Sequence, residues 1–420
     1  MTTAVAGTAA GAPSGAVIQG ARNRPADDPL FKLHREATER AAKGESVLNA
    51  TLGSLTGEDG KLAVMPSVLE TLAKIDARAA AGYAPVAGIP AFLDATIADV
   101  FGDTPLARQA VAVATPGGTG AVYQSVLNFL EPGQKLLTTN FHWGPYAGVA
   151  RGVGRDVETF AMFTEGGAFD VDALAAGLDR LVDTQGRALV VLNFPCHNPT
   201  GYSLDQDEWR RVVDAVARAA ARGPVSVLLD VAYFTFGGRA ARTWIDWVPG
   251  LLEGGATALI AWTASKAFTQ YGARVGSLIA VHPDDDERTQ IKNALGFTCR
   301  STWSNSNHLG QRAITELLTK PELRRRADAE RAELSDLLGA RIRAFNEGAK
   351  AVGLETPRYD SGFFSMVYTP DAERTAAKMR DLGVFVLPLK GAVRVALCGV
   401  PLADIPRLVD ALAAGVRAAG

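Results

Sequence analysis

The sequence predicts an α/β fold: a large domain built on a mostly parallel sheet covered by helices, followed by a smaller α+β domain. Three observations carry this. The apolar runs at residues 188–193 (ALVVLN), 225–229 and 257–262 are nearly continuous, as strands buried on both faces of a parallel sheet must be. Helical patterns separate them, so strand, helix and strand repeat in order. From Lys320 the composition shifts to a stretch rich in Arg, Glu, Ala and Leu (321–353) that reads as a long amphipathic helix.

Taken in order, residues 1–21 are rich in Ala and Gly and lack the basic start of a secretory signal. They are expected to form a flexible tail. Residues 111–114 are a short β-type run. After Gly117-Gly118-Thr119-Gly120, a helical pattern carries Val122, Val126, Leu127 and Leu130. Ser203 to Gln206 has the spacing of a capping box. Trp209, Val212, Val213 and Val216 mark one face of the helix after it, and Gly223-Pro224 stops that helix. A further strand lies at 276–281. Short strands near 363–368, 384–387 and 393–397 and a last helix over 402–418 form the smaller domain, which also uses the segment before Gly53. The expected division is a tail over 1–22, a segment over 23–58 joining the small domain, a large domain over 59–325 and the small domain over 326–420.

With 420 residues, 47% hydrophobic and 21% charged, the chain has the composition of a folded globular protein. A formal charge of −2 gives no strong field toward nucleic acid or lipid, so neither is an expected partner. Cys196, Cys299 and Cys398 lie far apart, in odd number and without metal-type spacing. A reducing cytoplasm is the expected compartment, and no apolar run is long enough to span a bilayer.

Several short motifs carry candidate chemistry. Lys266, in Thr263-Ala264-Ser265-Lys266, follows an apolar strand, where desolvation would free its neutral amine for imine chemistry. Thr263 and Ser265 offer hydroxyl donors to a phosphate, and Arg274 could clamp the same group with two donors. Taken alone, a loop lysine is more often exposed. Asp230 ends another apolar strand, where an unpartnered carboxylate would cost several kcal/mol in rough terms. A protonated pyridine nitrogen would be its partner, with Tyr233 reaching a phenolic oxygen from the next turn. An Asp capping the loop is the other reading. Asn198, pinned between Pro195 and Pro199, can donate to that phenolic oxygen and to a carboxylate, although Asn-Pro and Thr-Gly are also ordinary turn chemistry. His197 beside it reads as structural. Residues 115–120 (TPGGTG) precede a helix, whose free N–H groups suit a phosphate. An amine, an anion for a ring nitrogen, a donor to a phenolic oxygen and a phosphate clamp are what pyridoxal 5'-phosphate requires.

Together these motifs resemble the fold-type I pyridoxal-phosphate-dependent aminotransferases, in particular the aspartate/aromatic group, over about residues 23–400. The resemblance implies a Schiff base on Lys266. Cofactor contacts follow from Gly118, Thr119, Trp143 (stacked on the ring), Asn198, Asp230, Tyr233, Thr263, Ser265 and Arg274. Residues 48–61 (LNATLGSLTGEDGK) resemble the family's N-terminal stretch, with Gly53 near the substrate carboxylate. Residues 83–88 (YAPVAG) resemble the block whose tyrosine, here Tyr83, reaches the neighbouring subunit's phosphate. Val393-Arg394-Val395-Ala396 resembles the strand whose arginine binds the α-carboxylate, a task suited to a bidentate guanidinium. Arg300, in residues 300–305 (RSTWSN), resembles the arginine that crosses a dimer interface to a distal carboxylate. A homodimer with shared sites is therefore expected, with Tyr83, Arg300 and Ser304 acting in trans.

The chain departs from the family pattern around the pocket. Pro145-Tyr146 stands where Asn-His is usual, so histidine support of Asp230 is absent or replaced by Tyr146. Leu55 stands where many members carry tyrosine, and Ser306-Asn307 replace prolines. The expected activity is amino transfer between an aspartate-type or aromatic L-amino acid and a 2-oxo acid such as 2-oxoglutarate. The alternatives are a lyase or decarboxylase using the same cofactor, or a ligand-binding homologue that has lost the chemistry.

Overall fold

The runs read as buried strands meet in a seven-stranded sheet. The computed structural model describes residues 16–18, 21, 22, 24 and 27–420, and most of the tail expected over residues 1–22 lies outside them. The strands are β1 (Ala110–Pro116), β2 (Lys135–Thr139), β3 (Asp156–Phe160), β4 (Ala188–Leu192), β5 (Val225–Asp230), β6 (Thr257–Thr263) and β7 (Val275–Val281). Across the sheet they run β1-β7-β6-β5-β4-β2-β3. β7 is antiparallel to both its neighbours, and the pairs from β6 to β3 are parallel. The carboxyl ends of β1, β2, β4, β5 and β6 therefore share one edge with the start of β7.

Successive residues of a strand face opposite sides, and here both sides are covered. Val190, Leu192, Val227, Leu229 and Ile260 pack in one apolar cluster with Trp209, Val212 and Val216 of the helix Gln206–Ala220. Leu189, Val191, Leu228, Leu259 and Ala261 pack in another with Val122 and Val126 of the helix Gly117–Phe129. Helices on both faces explain why every residue of β4 and β5 is buried.

Two details differ from the sequence reading. β2 (KLLTT) and β3 (DVETF) were not expected as strands: β2 has only two large apolar residues, and β3 is an edge strand with mostly half-exposed positions. The capping box also lies two residues later than expected. Asp205 accepts from the Glu208 N–H at 2.9 Å, and Glu208 accepts from the Asp205 N–H at 2.9 Å. Ser203 lies outside the helix, and its hydroxyl accepts from the Cys196 N–H instead.

Beyond the helix Pro321–Ala351, strands Phe364–Tyr368, Leu387–Leu389 and Ala392–Ala396 form an antiparallel sheet. Val384–Phe385 pairs in parallel with Leu48–Asn49, so the early segment is stitched to the end of the chain. Arg341, fully buried, completes that stitch. It donates to Glu58 at 2.6 Å, to the Thr56 carbonyl at 2.9 Å and to the Cys398 carbonyl at 2.9 Å, as a buried guanidinium must.

Candidate active site

At the shared edge of the sheet, a cavity of about 220 Å³ is lined by Gly118, Thr119, Trp143, Asn193, Asn198, Asp230, Ala232, Tyr233, Thr263, Ser265, Lys266 and Arg274. These residues come from the ends of several strands, where the loops of such a sheet converge. Lys266 sits on the short helix Ala264–Ala267 directly after β6. Its side chain is ringed by protein atoms and touches solvent only partly. Burial pushes its pKa down to about 8, against an opposing pull from the Asp230 carboxylate. The ammonium lies over the Tyr233 ring at 5.1 Å.

Asp230 closes β5 and is buried. Burial raises its carboxyl pKa; the Tyr146 hydroxyl, the Ala232 N–H and the charge of Lys266 pull it back down. Tyr146 donates to Oδ2 at 2.7 Å and Ala232 donates to Oδ1 at 3.2 Å. This answers the departure at Pro145-Tyr146: the tyrosine hydroxyl supports the carboxylate. Asn193, which the sequence reading passed over, donates to the Asp230 carbonyl at 2.6 Å and accepts from the Asn198 N–H at 2.8 Å. Its place at the end of an apolar strand was the available signal.

The same cavity gathers anion donors. The helix Gly117–Phe129 starts at the end of β1 with no side-chain cap, so its first N–H groups have no partner within the helix. Gly117 takes φ 68°, and a Cβ on Gly276 would come within 2.5 Å of the Gly117 carbonyl carbon. Glycine at both positions lets the helix start lie against β7. Arg274 donates to the Pro116 carbonyl at 3.3 Å, to the Tyr271 carbonyl at 2.9 Å and to Ser265 Oγ at 3.4 Å. It holds φ 53°, a conformation that costs a non-glycine residue about 1–2 kcal/mol. Thr263 donates to Ser265 Oγ at 3.0 Å.

Arg394 lies beside the cavity on Ala392–Ala396. It donates to the Thr51 carbonyl at 2.6 Å and to Asn198 Oδ1 at 3.3 Å. Its Nε is buried without a hydrogen-bond partner. Burial lowers the guanidinium pKa to about 10, which leaves it charged. Asn198 in turn donates to Tyr233 Oη at 3.5 Å. Besides Arg394, the sequence-derived residues outside the cavity wall are Gly53, which packs against Phe364, Tyr83, which is 91% exposed, and Arg300, which is exposed and donates to Ser304. His197 is buried between Thr139 and Thr200. Burial lowers its pKa to about 3, so it stays neutral, as a structural residue would.

The donor set fits pyridoxal phosphate. One cavity brings together a carboxylate, an uncapped helix start, a guanidinium, an aromatic residue and an amine. A buried arginine with an unpartnered donor adjoins it.

The family model for aminotransferases of class I and II matches residues 45–412. The chain is 29% identical to an aromatic-amino-acid aminotransferase of Pseudomonas aeruginosa over 73% of this chain and 76% of the relative. It is 28% identical to an aspartate aminotransferase of the same organism over 74% and 77%. Its fold matches the crystal structure of an aromatic-amino-acid aminotransferase from Burkholderia pseudomallei covalently bound to pyridoxal phosphate. There the TM-score is 0.81 at 25% identity, covering 94% of this chain and 98% of that one.

Proposed function

The chain belongs to the class I and II aminotransferases, pyridoxal-phosphate-dependent enzymes, and from that premise we propose that Lys266 carries the cofactor. The amino group moves from an aspartate-type or aromatic L-amino acid to a 2-oxo acid such as 2-oxoglutarate. The observation that carries this is Lys266 and Asp230 facing one cavity beside a buried arginine with donor capacity to spare. When bound, pyridoxal phosphate supplies an aldehyde that takes up an amine and a ring that accepts the electrons left when the α-proton departs.

The chain's residues do the rest. Lys266, its pKa brought down to about 8 by burial so that the neutral amine is within reach, holds the cofactor and then carries the α-proton. Asp230 holds the proton on the ring nitrogen. Asn198 and Tyr233 donate to the phenolic oxygen. The phosphate takes the N–H groups of Gly118 and Thr119, the hydroxyls of Thr263 and Ser265, and the fork of Arg274. Trp143 covers the ring. Arg394 and Asn198 fix the substrate carboxylate near Gly53.

The working unit is a homodimer in which Tyr83 reaches the other subunit's phosphate and Arg300, backed by Ser304, reaches a distal carboxylate. Tyr83 (91% exposed) and Arg300 both reach into solvent from outside the cavity wall, which leaves them available to a second subunit and supports this reading. Residues 23–58 join the small domain over 326–420, supported by the Leu48–Asn49 pairing, and the large domain spans 59–325. A cytoplasmic setting is supported by the free, buried state of Cys196, Cys299 and Cys398. Among the described residues no helix is long and apolar enough to cross a membrane.

The test is a spectral titration of the holoenzyme with L-aspartate and L-phenylalanine, repeated on Arg300→Ala. Both amino acids should shift the cofactor's absorbance to that of its amine form. Arg300→Ala should weaken the aspartate response by at least about tenfold, as loss of a charged hydrogen bond does, and spare phenylalanine. Equal loss for both would remove Arg300 from the distal-carboxylate role. No shift with either, even with added cofactor, would contradict the activity.

A further inference from the structure

Tyr146 lies behind the cavity, not in its wall. It follows Trp143 on the helix Pro145–Gly152, and it is among the largest fully buried side chains. Its ring meets the Trp143 ring edge-on at 5.4 Å and stacks on His142 at 6.1 Å. Its hydroxyl has Asp230 Oδ2 as its acceptor at 2.7 Å. A phenylalanine would fill the same space without burying a hydroxyl, which costs free energy unless the hydroxyl is bonded. The packing therefore does not account for the oxygen; the carboxylate does. The phenol is also a donor that keeps its proton. Burial first, and the adjacent Asp230 charge second, raise its pKa well above the ordinary value.

Asp230 is held on three sides. Tyr146 donates to one carboxylate oxygen, the Ala232 N–H to the other, and Asn193 anchors the main-chain carbonyl at 2.6 Å. Of these, the Tyr146 hydroxyl is the side-chain donor to the carboxylate, and charge-assisted O–H···O bonds of this kind are strong.

We propose that Tyr146 is a positioning residue: its hydroxyl keeps the Asp230 carboxylate ionised and aimed at the ring nitrogen of a bound pyridine cofactor, and it does so without touching cofactor or substrate. This rests on the cofactor reading given above. It predicts that Tyr146 matters only to a ligand that has a ring nitrogen.

The experiment compares dissociation constants for pyridoxal phosphate and for its 1-deaza analogue, in which C–H replaces the ring nitrogen. Full-length protein stripped of cofactor is used as wild type, Tyr146→Phe, Asp230→Asn and the double variant. Wild type should prefer pyridoxal phosphate. Tyr146→Phe should narrow that preference by about tenfold, the effect of one hydrogen bond to a charged group, and leave the affinity for the deaza analogue unchanged. In the Asp230→Asn background the same substitution should change neither affinity, because the hydroxyl acts through the carboxylate. Equal weakening of both ligands by Tyr146→Phe would make Tyr146 a packing residue and overturn the inference, as would an unchanged preference. Wild type that binds neither ligand would instead sink the cofactor reading itself, and this inference with it.

Discussion

A lysine amine is a nucleophile only when neutral, and the surroundings of Lys266 bring that state within reach. Burial lowers its pKa from the ordinary 10.5 to about 8, and the Asp230 carboxylate limits the drop. Below about pH 8 the ammonium form dominates and attack on the aldehyde slows. Above it the neutral amine dominates and the rate levels off. The rate at which cofactor-free protein takes up pyridoxal phosphate, followed by visible absorbance, should therefore rise with pH to a plateau with a midpoint near about 8. Asp230→Asn removes the opposing charge and should move that midpoint down. A midpoint near 10.5 would mean that Lys266 is solvated like a surface lysine. Among the residues that line the cavity, Lys266, Asp230 and Asn198 were legible as polar side chains closely following apolar runs, Gly118 and Thr119 as a glycine-rich turn before a helix, and Trp143 through the family resemblance. Tyr146 was legible only as a departure from a family pattern. That its hydroxyl reaches Asp230 depends on how the helix Pro145–Gly152 packs, which no local pattern encodes.

The elements that build the site were readable where burial made them uniform. β4, β5 and β6 are covered on both faces, so their sequences are nearly unbroken apolar runs. β2 and β3 are short and mixed in character, and nothing local distinguishes them from loop. The part of the cavity proposed to take the phosphate depends on an approach between elements. Gly117 combines φ 68° with a position where a Cβ would come within 2.5 Å of Arg274 Nη2. The guanidinium, the far end of a flexible side chain, would yield before the backbone does. Gly117→Ala should thus displace the phosphate clamp and weaken pyridoxal phosphate binding by about tenfold, the value of one charge-assisted bond. Gly133→Ala is the control: it shares a positive φ of 84° but a Cβ there meets nothing within 4 Å. It should lower thermal stability slightly, through backbone strain, and leave cofactor affinity intact, as checked by thermal melts and fluorescence titration. Equal cofactor affinity in the two variants would remove the Gly117–Arg274 contact from the binding account.

At the scale of the molecule, chemistry from distant parts of the sequence converges because parallel strands all deliver their carboxyl ends to one edge. Residues 118, 198, 230 and 266 reach the cavity that way. Arg394 arrives from the C-terminal sheet, and the early segment reaches it through the Thr51 carbonyl. The α/β class and the second domain follow from run lengths and composition. That the beginning of the chain is stitched to its end by Leu48–Asn49 and Arg341 is a long-range matter of pairing, which the sequence only hinted at. On this reading one lysine at this edge, Lys266, holds the cofactor. The most direct measurement is borohydride reduction of the holoenzyme followed by peptide mass mapping. One reduced pyridoxyl group per chain is expected, on the peptide containing Lys266, and none on a Lys266→Ala protein. A reduced group on another lysine, or the same labelling in Lys266→Ala, would contradict this reading.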